Sequence, residues 1–268
     1  MARALDDILQ LIPDSEPAPP IHGAQTQPFR PAIVTLEGRS DRWQRITGAL
    51  AAAGLHDVIK HRAVHGAAIT DDLRRALIDC DIDAAPRSHL ALTRPAAGCF
   101  LSHLQLWKQF LRSQAEWLVV LEDDATPAAG YSVARAAQLV ASLPADADLV
   151  LFGCSIMGDL AANGSGPLRR VFYFNGTYAY LVTRKGCLGL LPHLVPLRAH
   201  IDHQTSAALI RHPESLFVYA VVPPLFDHDF TTRSDAYVPL EAPEAADAEL
   251  GGLIESARKS LSAHVAPP

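Results

Sequence analysis

The chain alternates short runs rich in apolar residues with longer segments in which apolar residues recur every three or four positions. The short runs, which predict buried strands, lie at 32–36, 58–64, 117–121, 148–153 and 216–222. The longer segments, which predict helices, lie at 43–53, 71–80, 97–111, 131–143, 183–191 and 202–210. Strands that alternate with helices in this way indicate an α/β fold with a mostly parallel central sheet.

Two segments in the second half of the chain interrupt this alternation. The β-rich runs 171–174 and 177–182 flank Asn175-Gly176, and an Asn-Gly pair between such runs predicts a β-hairpin. The polar stretch 158–167 contains three glycines and is a candidate flexible lid.

The two ends of the chain differ from the middle in composition and charge. A short helix predicted at 4–12 leads into a Pro-rich linker that extends to residue 28, and residues 241–268 form an acidic, Ala-rich tail. Residues 29–240, which we expect to form the main folded domain, contain 20 basic and 20 acidic residues. The absence of a basic surplus argues against a nucleic-acid-binding protein.

Cysteine usage and hydropathy bear on the cellular compartment. None of the four cysteines has Cys-x-x-Cys spacing and all lie in apolar surroundings, so we expect reduced thiols rather than disulfides or a zinc site. The chain lacks a basic segment followed by an apolar one at its start, and no run approaches the ~18 apolar residues of a membrane span. These features favour a cytoplasmic location.

The candidate chemistry centres on three consecutive acids, Glu122, Asp123 and Asp124, which directly follow the apolar run 117–121. The carboxyl ends of parallel strands form the edge at which open α/β sheets bind ligands. Three adjacent carboxylates repel one another, and a hard cation such as Mn²⁺ or Mg²⁺ would offset that repulsion while also contacting substrate phosphates. The alternatives are acids that are solvated at the strand end or that cap the next helix.

Two reaction classes fit such an acidic strand end. In the first, the cation holds a nucleoside diphosphate leaving group while a carboxylate deprotonates an acceptor hydroxyl. The candidate bases are Asp202, Asp229 and Asp235. In the second, Glu122-x-Asp124-x-Thr126 would imitate the Asp-x-Asp-x-Thr motif of phosphatases that form an aspartyl phosphate. Those enzymes use Asp as the nucleophile, and Glu122 is one methylene longer, which argues against this class.

Other polar residues lie near the same predicted edge. Arg39 and Arg42 follow the first strand and could contact phosphates, and His228 could be a further ligand for Mn²⁺. Ser102 and His103 are adjacent on a predicted helix, so their side chains diverge, which argues against a Ser-His nucleophile.

Short motifs follow one another in a characteristic order over residues 30–235. They are 33–37 with Arg39, Asp41 and Arg42; 63–66; 98–103 with Trp107; 121–124; 179–182 with Lys185 and Gly186; Asp202; and 218–221 with Pro223, Pro224 and Ser234. Together they resemble glycosyltransferase family 25, the lipooligosaccharide-type galactosyl- and glucosyltransferases that include relatives of collagen galactosyltransferase.

The resemblance implies a GT-A-like nucleotide-sugar-binding fold and an inverting, metal-dependent transfer of a hexose from a UDP-sugar. It implies Mn²⁺ or Mg²⁺ held by Glu122 and Asp124, and Asp202 as the catalytic base. His228, which is not implied by the resemblance, could strengthen the binding of that ion. The residues implied to contact the nucleotide sugar are Arg39, Arg42, His65, Ser102, His103 and Asp123. The acceptor would be a glycan or lipid-linked glycan in lipopolysaccharide or lipooligosaccharide synthesis, reached from the cytoplasm at the inner membrane.

Three positions depart from the family pattern. Pro95-Ala96-Ala97 stands where Gly-Glu-Ile is usual, His65 stands where aspartate is usual, and His228 stands where glutamine is frequent. The first two departures leave open a degenerate family member that binds a nucleotide sugar or glycan without turnover. The retained acids at 122–124 and Asp202 favour an active enzyme.

Overall fold

The computed structural model describes residues 4–15, 29–155, 166–229, 231, 234–236, 238–240 and 246–264. The helices are α1 (Leu5–Leu11), α2 (Ser40–Ala52), α3 (Asp71–Leu77), α4 (Arg94–Arg112), α5 (Val133–Ala141), α6 (Arg184–Leu194), α7 (Ile201–Arg211) and α8 (Ala246–His264). The strands are β1 (Pro31–Thr35), β2 (Ile59–Arg62), β3 (Trp117–Glu122), β4 (Ala125–Pro127), β5 (Leu149–Ser155), β6 (Leu168–Arg170), β7 (Asn175–Thr183), β8 (Val218–Val221) and β9 (Phe226–His228). A short 3₁₀ turn (Gly66–Ala68) follows β2.

Seven of these strands form one sheet in the order β2-β1-β3-β7-β5-β8-β6, and β4 pairs with β9 in a separate ribbon. β1, β2, β3, β5 and β8 run in one direction, whereas β6 and β7 are antiparallel to their neighbours. The predicted α/β class with a mostly parallel sheet is confirmed, and the two reversed strands make the sheet mixed. Because β7 is reversed, its first residues lie at the same edge as the carboxyl ends of β1, β3 and β5.

Helices cover both faces of the sheet. On one face, α4 packs its aromatic side chains Phe100, Trp107 and Phe110 into a core that also takes residues from α1, α6 and α7. On the other face, α2 and α5 pack against alternate residues of β1, β3 and β7. This two-sided coverage explains why β1, β3 and β5 are nearly continuous apolar runs, whereas the edge strand β2 alternates buried and exposed residues.

The hairpin predicted at Asn175-Gly176 is wrong. β7 is a single strand between β3 and β5, and the strand that precedes it in the chain, β6, pairs with β8 instead. Residues 172–174 are fully buried aromatic side chains beside α7, where the Phe174 amide donates a hydrogen bond to Ser206 Oγ. Gly176 has the positive φ that an Asn-Gly turn requires, 83°, but its amide donates to Asp202 rather than closing a turn.

The terminal helices are packed on the body of the protein. Ile8 and Ile12 of the α1 region are fully buried in the main core, and Lys108 Nζ donates to the Ile12 carbonyl at 2.5 Å. α8 packs through Ala257 against the aromatic residues 172 and 173. The Pro-rich segment 16–28 and most of the predicted lid, residues 158–165, lie outside the described residues.

Two further expectations concern the thiols and membrane association. All four cysteines are free, as expected. Within the described ranges, no helix combines the length and apolar character that crossing a membrane requires.

Candidate active site

Two adjoining cavities lie at the edge of the sheet where β1, β2 and β3 end and β7 begins. Their volumes are about 370 and 170 Å³, and both are lined by Cys99, Glu122 and Asp124. Glu122 is the last residue of β3, and Cys99 is in the second turn of α4. The acids therefore lie at the ligand-binding edge that the strand pattern predicts.

Asp123 and Arg42 form a buried ion pair beneath the larger cavity. Arg42 Nη1 donates to Asp123 Oδ1 at 2.7 Å, and Thr35 Oγ1 donates to Asp123 Oδ2 at 2.7 Å. The side chains of Arg42 and Asp123 are only 3% and 9% exposed. Burial raises the pKa of Asp123, and the hydrogen bonds from Arg42 and Thr35 oppose this effect. Both carboxylate oxygens of Asp123 thus accept hydrogen bonds from the protein. Asp123 can therefore influence a bound ligand by holding the Arg42 guanidinium in position.

Asp124 is almost fully buried and retains an unused acceptor. Its Oδ2 lies 3.3 Å from His228 Nε2 and 3.6 Å from Arg42 Nη1. Its Oδ1 is buried without a hydrogen-bond partner in the described part of the chain. The pairing of β4 with β9, which sets Ala125 opposite His228, brings the imidazole to this carboxylate. The hydrogen bond with Asp124 raises the pKa of His228. A buried carboxylate oxygen without a donor is costly, and a bound cation would satisfy it.

Glu122 is held by a polar network that begins in the core. Thr177 Oγ1 donates to Glu122 Oε1 at 3.0 Å, and His103 Nε2 lies 3.6 Å from the same oxygen. His103 Nδ1 lies 2.8 Å from the Tyr180 hydroxyl, which accepts a hydrogen bond from Trp107 Nε1 at 3.0 Å. The structure therefore places His103, a predicted nucleotide-sugar contact, behind a candidate metal ligand.

Asp202 lies in the first turn of α7 and lines the smaller cavity together with Glu122, Asp124 and His228. Its two carboxylate oxygens accept hydrogen bonds from the amides of Gly176 at 2.7 Å and of residue 203 at 2.9 Å. Of the three candidate bases, Asp202 is the one that lines the cavity holding all three candidate metal ligands.

The other two candidate bases are engaged with arginines. Asp229 pairs with Arg45 at 2.9 Å and is absent from the lining of both cavities. Asp235 lines the larger cavity and bonds to Arg39, which also pairs with Asp41 at 3.2 Å. The pKa of Asp229 is lowered, mainly by hydrogen bonds from the residue 231 side chain and amide.

The remaining predicted contacts are divided between the cavity wall and the core. His65 lines the larger cavity and caps the 3₁₀ turn, since its Nδ1 accepts the Ala67 amide at 3.2 Å. Ser102 is fully buried outside both cavities, where its hydroxyl accepts the Val64 amide at 2.8 Å and donates to the Gly98 carbonyl at 2.7 Å.

Two glycines allow the start of α4 to approach the segment after β2. A Cβ atom on Gly98 would lie 2.5 Å from the Val64 carbonyl oxygen, and one on Gly66 would lie 2.5 Å from the Arg94 carbonyl oxygen. These backbone contacts set the first turns of α4, and with them Cys99, against the cavity. Burial, together with nearby acids such as Glu122, holds the pKa of the Cys99 thiol well above its usual range.

Thr35, Thr177 and Tyr180 are site residues that the sequence did not predict. Each is a hydroxyl-bearing residue in an apolar strand, and each bonds to a polar side chain of the site. A hydroxyl at a buried strand position is the signal that could have identified them, because such a group requires a partner.

The donor atoms present decide which metal ions could bind. Glu122, Asp124 and His228 offer carboxylate oxygens, one of them buried and unpaired, and an imidazole nitrogen, which suits Mn²⁺ or Mg²⁺. In the described ranges, the group whose ligand atoms all lie within 4.8 Å of one another is a different one, Cys99, His103 and Glu122. The ligand atoms of Glu122, Asp124 and His228 are more widely spaced, which fits a cation that completes its coordination with substrate phosphates.

Comparisons with known proteins agree on one family. Residues 31–132, which contain β1 to β4 and the candidate acids, match the family model described as glycosyltransferase family 25 (LPS biosynthesis protein). A glycosyltransferase 25 family member from Aedes aegypti is 27% identical over 227 residues, which are 77% of this chain and 37% of the relative. A second, from Drosophila melanogaster, is 28% identical over 145 residues, which are 50% of this chain and 23% of the relative. The chain therefore spans well under half the length of these relatives.

A solved structure with a weaker likeness is the inositol-1-phosphate CTP transferase from T. maritima. It aligns with a TM-score of 0.34 and 13% identity, over 86% of this chain and 78% of that one. A likeness at this level carries no functional argument. On the family model over residues 31–132 and the two insect relatives, the chain is similar to glycosyltransferase family 25, and the acids of the matched segment are gathered at the cavity.

Proposed function

We propose that this chain is a metal-dependent, inverting glycosyltransferase that moves a hexose from a UDP-sugar to a hydroxyl group of a glycan. The observation that carries the proposal is the convergence of Glu122, Asp124, Asp202 and His228 on one small cavity. That cavity shares part of its wall with a larger one of about 370 Å³, a volume in the usual range for small-molecule sites. The description of the family model, which names LPS biosynthesis, supports a lipopolysaccharide or other lipid-linked glycan as the acceptor. In this proposal the chain meets that acceptor at the cytoplasmic face of the inner membrane.

In this proposal the larger cavity takes the nucleotide and the smaller one takes the sugar and the acceptor hydroxyl. The Arg42 guanidinium lines the larger cavity and is held in place by Asp123, so it is pre-positioned to contact the diphosphate. His65 lines the same cavity and would contact the nucleotide. Arg39 reaches the rim, where it bonds to Asp235.

Glu122, Asp124 and His228 would hold Mn²⁺ or Mg²⁺ between the two cavities. When bound, the cation would neutralise the negative charge that develops on the diphosphate leaving group. Thr177 fixes one oxygen of Glu122 by a hydrogen bond of 3.0 Å, and the contact with Asp124 orients the His228 ring.

Asp202 would accept the proton of the acceptor hydroxyl as that oxygen attacks the sugar. Each of its oxygens accepts one backbone amide, which leaves further lone pairs for the acceptor proton. A base on one side of the sugar and a diphosphate on the other give a single displacement, which inverts the configuration at the reacting carbon.

The test measures UDP release from a panel of UDP-hexoses with Mn²⁺ and candidate glycan acceptors. Asp202→Asn should lower turnover by about 10²–10⁴-fold, the usual contribution of a general base. Asp71→Asn is the matched control, because Asp71 is also in the first turn of a helix but is exposed and does not line either cavity. Turnover of Asp202→Asn equal to that of the wild type would refute its assignment as the base.

The second candidate function is binding of a nucleotide sugar or glycan without turnover. Ala96, which stands where the family usually has glutamate, lines the smaller cavity, so the missing carboxylate falls at the site itself. Calorimetric titration with UDP, GDP and CMP, each with and without Mn²⁺, separates the two functions. UDP binding that requires Mn²⁺, together with UDP release, supports the transferase, whereas UDP binding with no turnover on any donor supports the degenerate protein.

A further inference from the structure

A second set of metal-ligating side chains lies beside the proposed Mn²⁺ site. The Cys99 thiol, a ring nitrogen of His103 and a carboxylate oxygen of Glu122 all lie within 4.8 Å of one another. His103 Nε2 is fully buried, has no hydrogen-bond partner in the described part of the chain and lies 3.6 Å from Glu122 Oε1. A buried ring nitrogen directed at a carboxylate and a thiol is an independent sign that this group can take a ligand.

We propose that Cys99 Sγ, His103 Nε2 and Glu122 form a binding site for a thiophilic divalent cation, with Zn²⁺ as the physiological candidate. A Cys-His-Glu set with sulfur, nitrogen and oxygen donors suits Zn²⁺ far better than Mg²⁺ or Ca²⁺. Three protein ligands leave a fourth tetrahedral position open, which water from the cavity would fill. As the zinc–sulfur bond forms, the Cys99 thiol proton is released to solvent.

The surroundings of this group satisfy the other requirements of a metal site. The His103 ring is oriented by the Tyr180 hydroxyl at its Nδ1, and Tyr180 is fixed in turn by Trp107, which is the outer-sphere support that metal-binding histidines usually have. Cys99 and Glu122 line both cavities, so an ion can reach the group from solvent.

The site has a consequence for the proposed transfer reaction, and this part of the inference rests on the proposed function. Glu122 belongs both to the Zn²⁺ set and to the proposed Mn²⁺ set, so the two ions compete for it. Zn²⁺ should therefore inhibit Mn²⁺-dependent transfer, and this inhibition should weaken when the Cys99 thiol is removed.

The first experiment measures Zn²⁺ binding to the whole chain by competition with a chromophoric chelator, without any donor or acceptor. We expect one bound ion, and an affinity that falls about 100-fold or more in Cys99→Ser, since loss of even an outer-sphere partner costs about 10–100-fold. Cys80→Ser is the control: Cys80 is also partly buried and has aspartates on both sides, but it does not line either cavity. Equal Zn²⁺ affinity in the wild type and Cys99→Ser would overturn the proposal.

A second measurement uses the wild-type chain alone and so does not depend on how the variant folds. Co²⁺ bound through Cys99 should give a thiolate-to-cobalt charge-transfer band and the visible absorption of a tetrahedral centre. A Co²⁺ complex without the thiolate band would overturn the site. Because neither measurement involves sugar transfer, a protein that binds Zn²⁺ as described but releases no UDP would refute the proposed function and leave this site standing.

Discussion

The buried pair of Arg42 and Asp123 allows a quantitative prediction for Asp123→Ala. The substitution removes the hydrogen bonds from Arg42 and Thr35, each 2.7 Å long, and leaves a guanidinium that is only 3% exposed without its main partner. Removing one member of a buried ion pair costs about 3–5 kcal/mol of unfolding free energy. Asp124 and Asp235 lie 3.6 and 3.8 Å from the same nitrogen of Arg42 and retain part of the compensation. We therefore expect the lower end of that range, about 3 kcal/mol.

Urea and thermal unfolding test this value. A loss of about 3 kcal/mol should lower the melting temperature by about 6–12 °C for a domain of this size. The control is Asp79→Ala, which breaks an ion pair with Arg198 of 2.9 Å whose side chains are 61% and 60% exposed. Exposed pairs contribute about 0–1 kcal/mol. If Asp123→Ala and Asp79→Ala destabilised the protein equally, burial of the Arg42 charge would not be what makes the pair important.

Three further predictions concern stability. Burial lowers the pKa of His61 from 6.5 to about 4, so the unfolded chain binds this proton at a higher pH than the folded protein does. The free energy of unfolding should therefore fall by about 3 kcal/mol as the pH drops from 6.5 towards 4. His61→Gln should flatten this pH dependence in urea unfolding, whereas His89→Gln, at an exposed position, should not. Gly98→Ala should lower stability by about 1–3 kcal/mol in urea unfolding, since its Cβ would meet a backbone oxygen at 2.5 Å, and an unchanged midpoint would contradict this close approach. Ile8→Ala should cost about 2–5 kcal/mol by the same assay because Ile8 is fully buried, while a change below about 0.5 kcal/mol would show that α1 is a loosely attached tail.

The elements that the sequence predicts well are those whose pattern is local. α4 repeats apolar residues at helical spacing over its whole length, and its burial on the sheet follows directly from that stripe. The position of Glu122 at the ligand edge follows equally, because it needs only the end of one apolar strand.

The features that the sequence leaves open depend on distant partners. The apolar run of β7 reads the same whichever strands it pairs with, so its reversed insertion between β3 and β5 cannot be derived from the run itself. The positive φ of Gly176 is predictable, but its bond to Asp202, 26 residues away, is not. Likewise, Arg42 and Asp123 are both expected to contact the nucleotide sugar, and only the fold shows that they bind each other.

Because β7 runs in the reverse direction, its first residues position both the proposed base and a proposed metal ligand. Consecutive residues at its start hold the two key acids: the Gly176 amide binds Asp202, and the Thr177 hydroxyl binds Glu122. The spacing between the proposed base and the proposed metal ligand is therefore set by one peptide unit of a central strand and not by the length of any surface loop. Loops around the cavity can change in length, and with them the acceptor that is admitted, while this spacing stays constant. A shift of β7 by one residue against β3 would instead misplace both acids together.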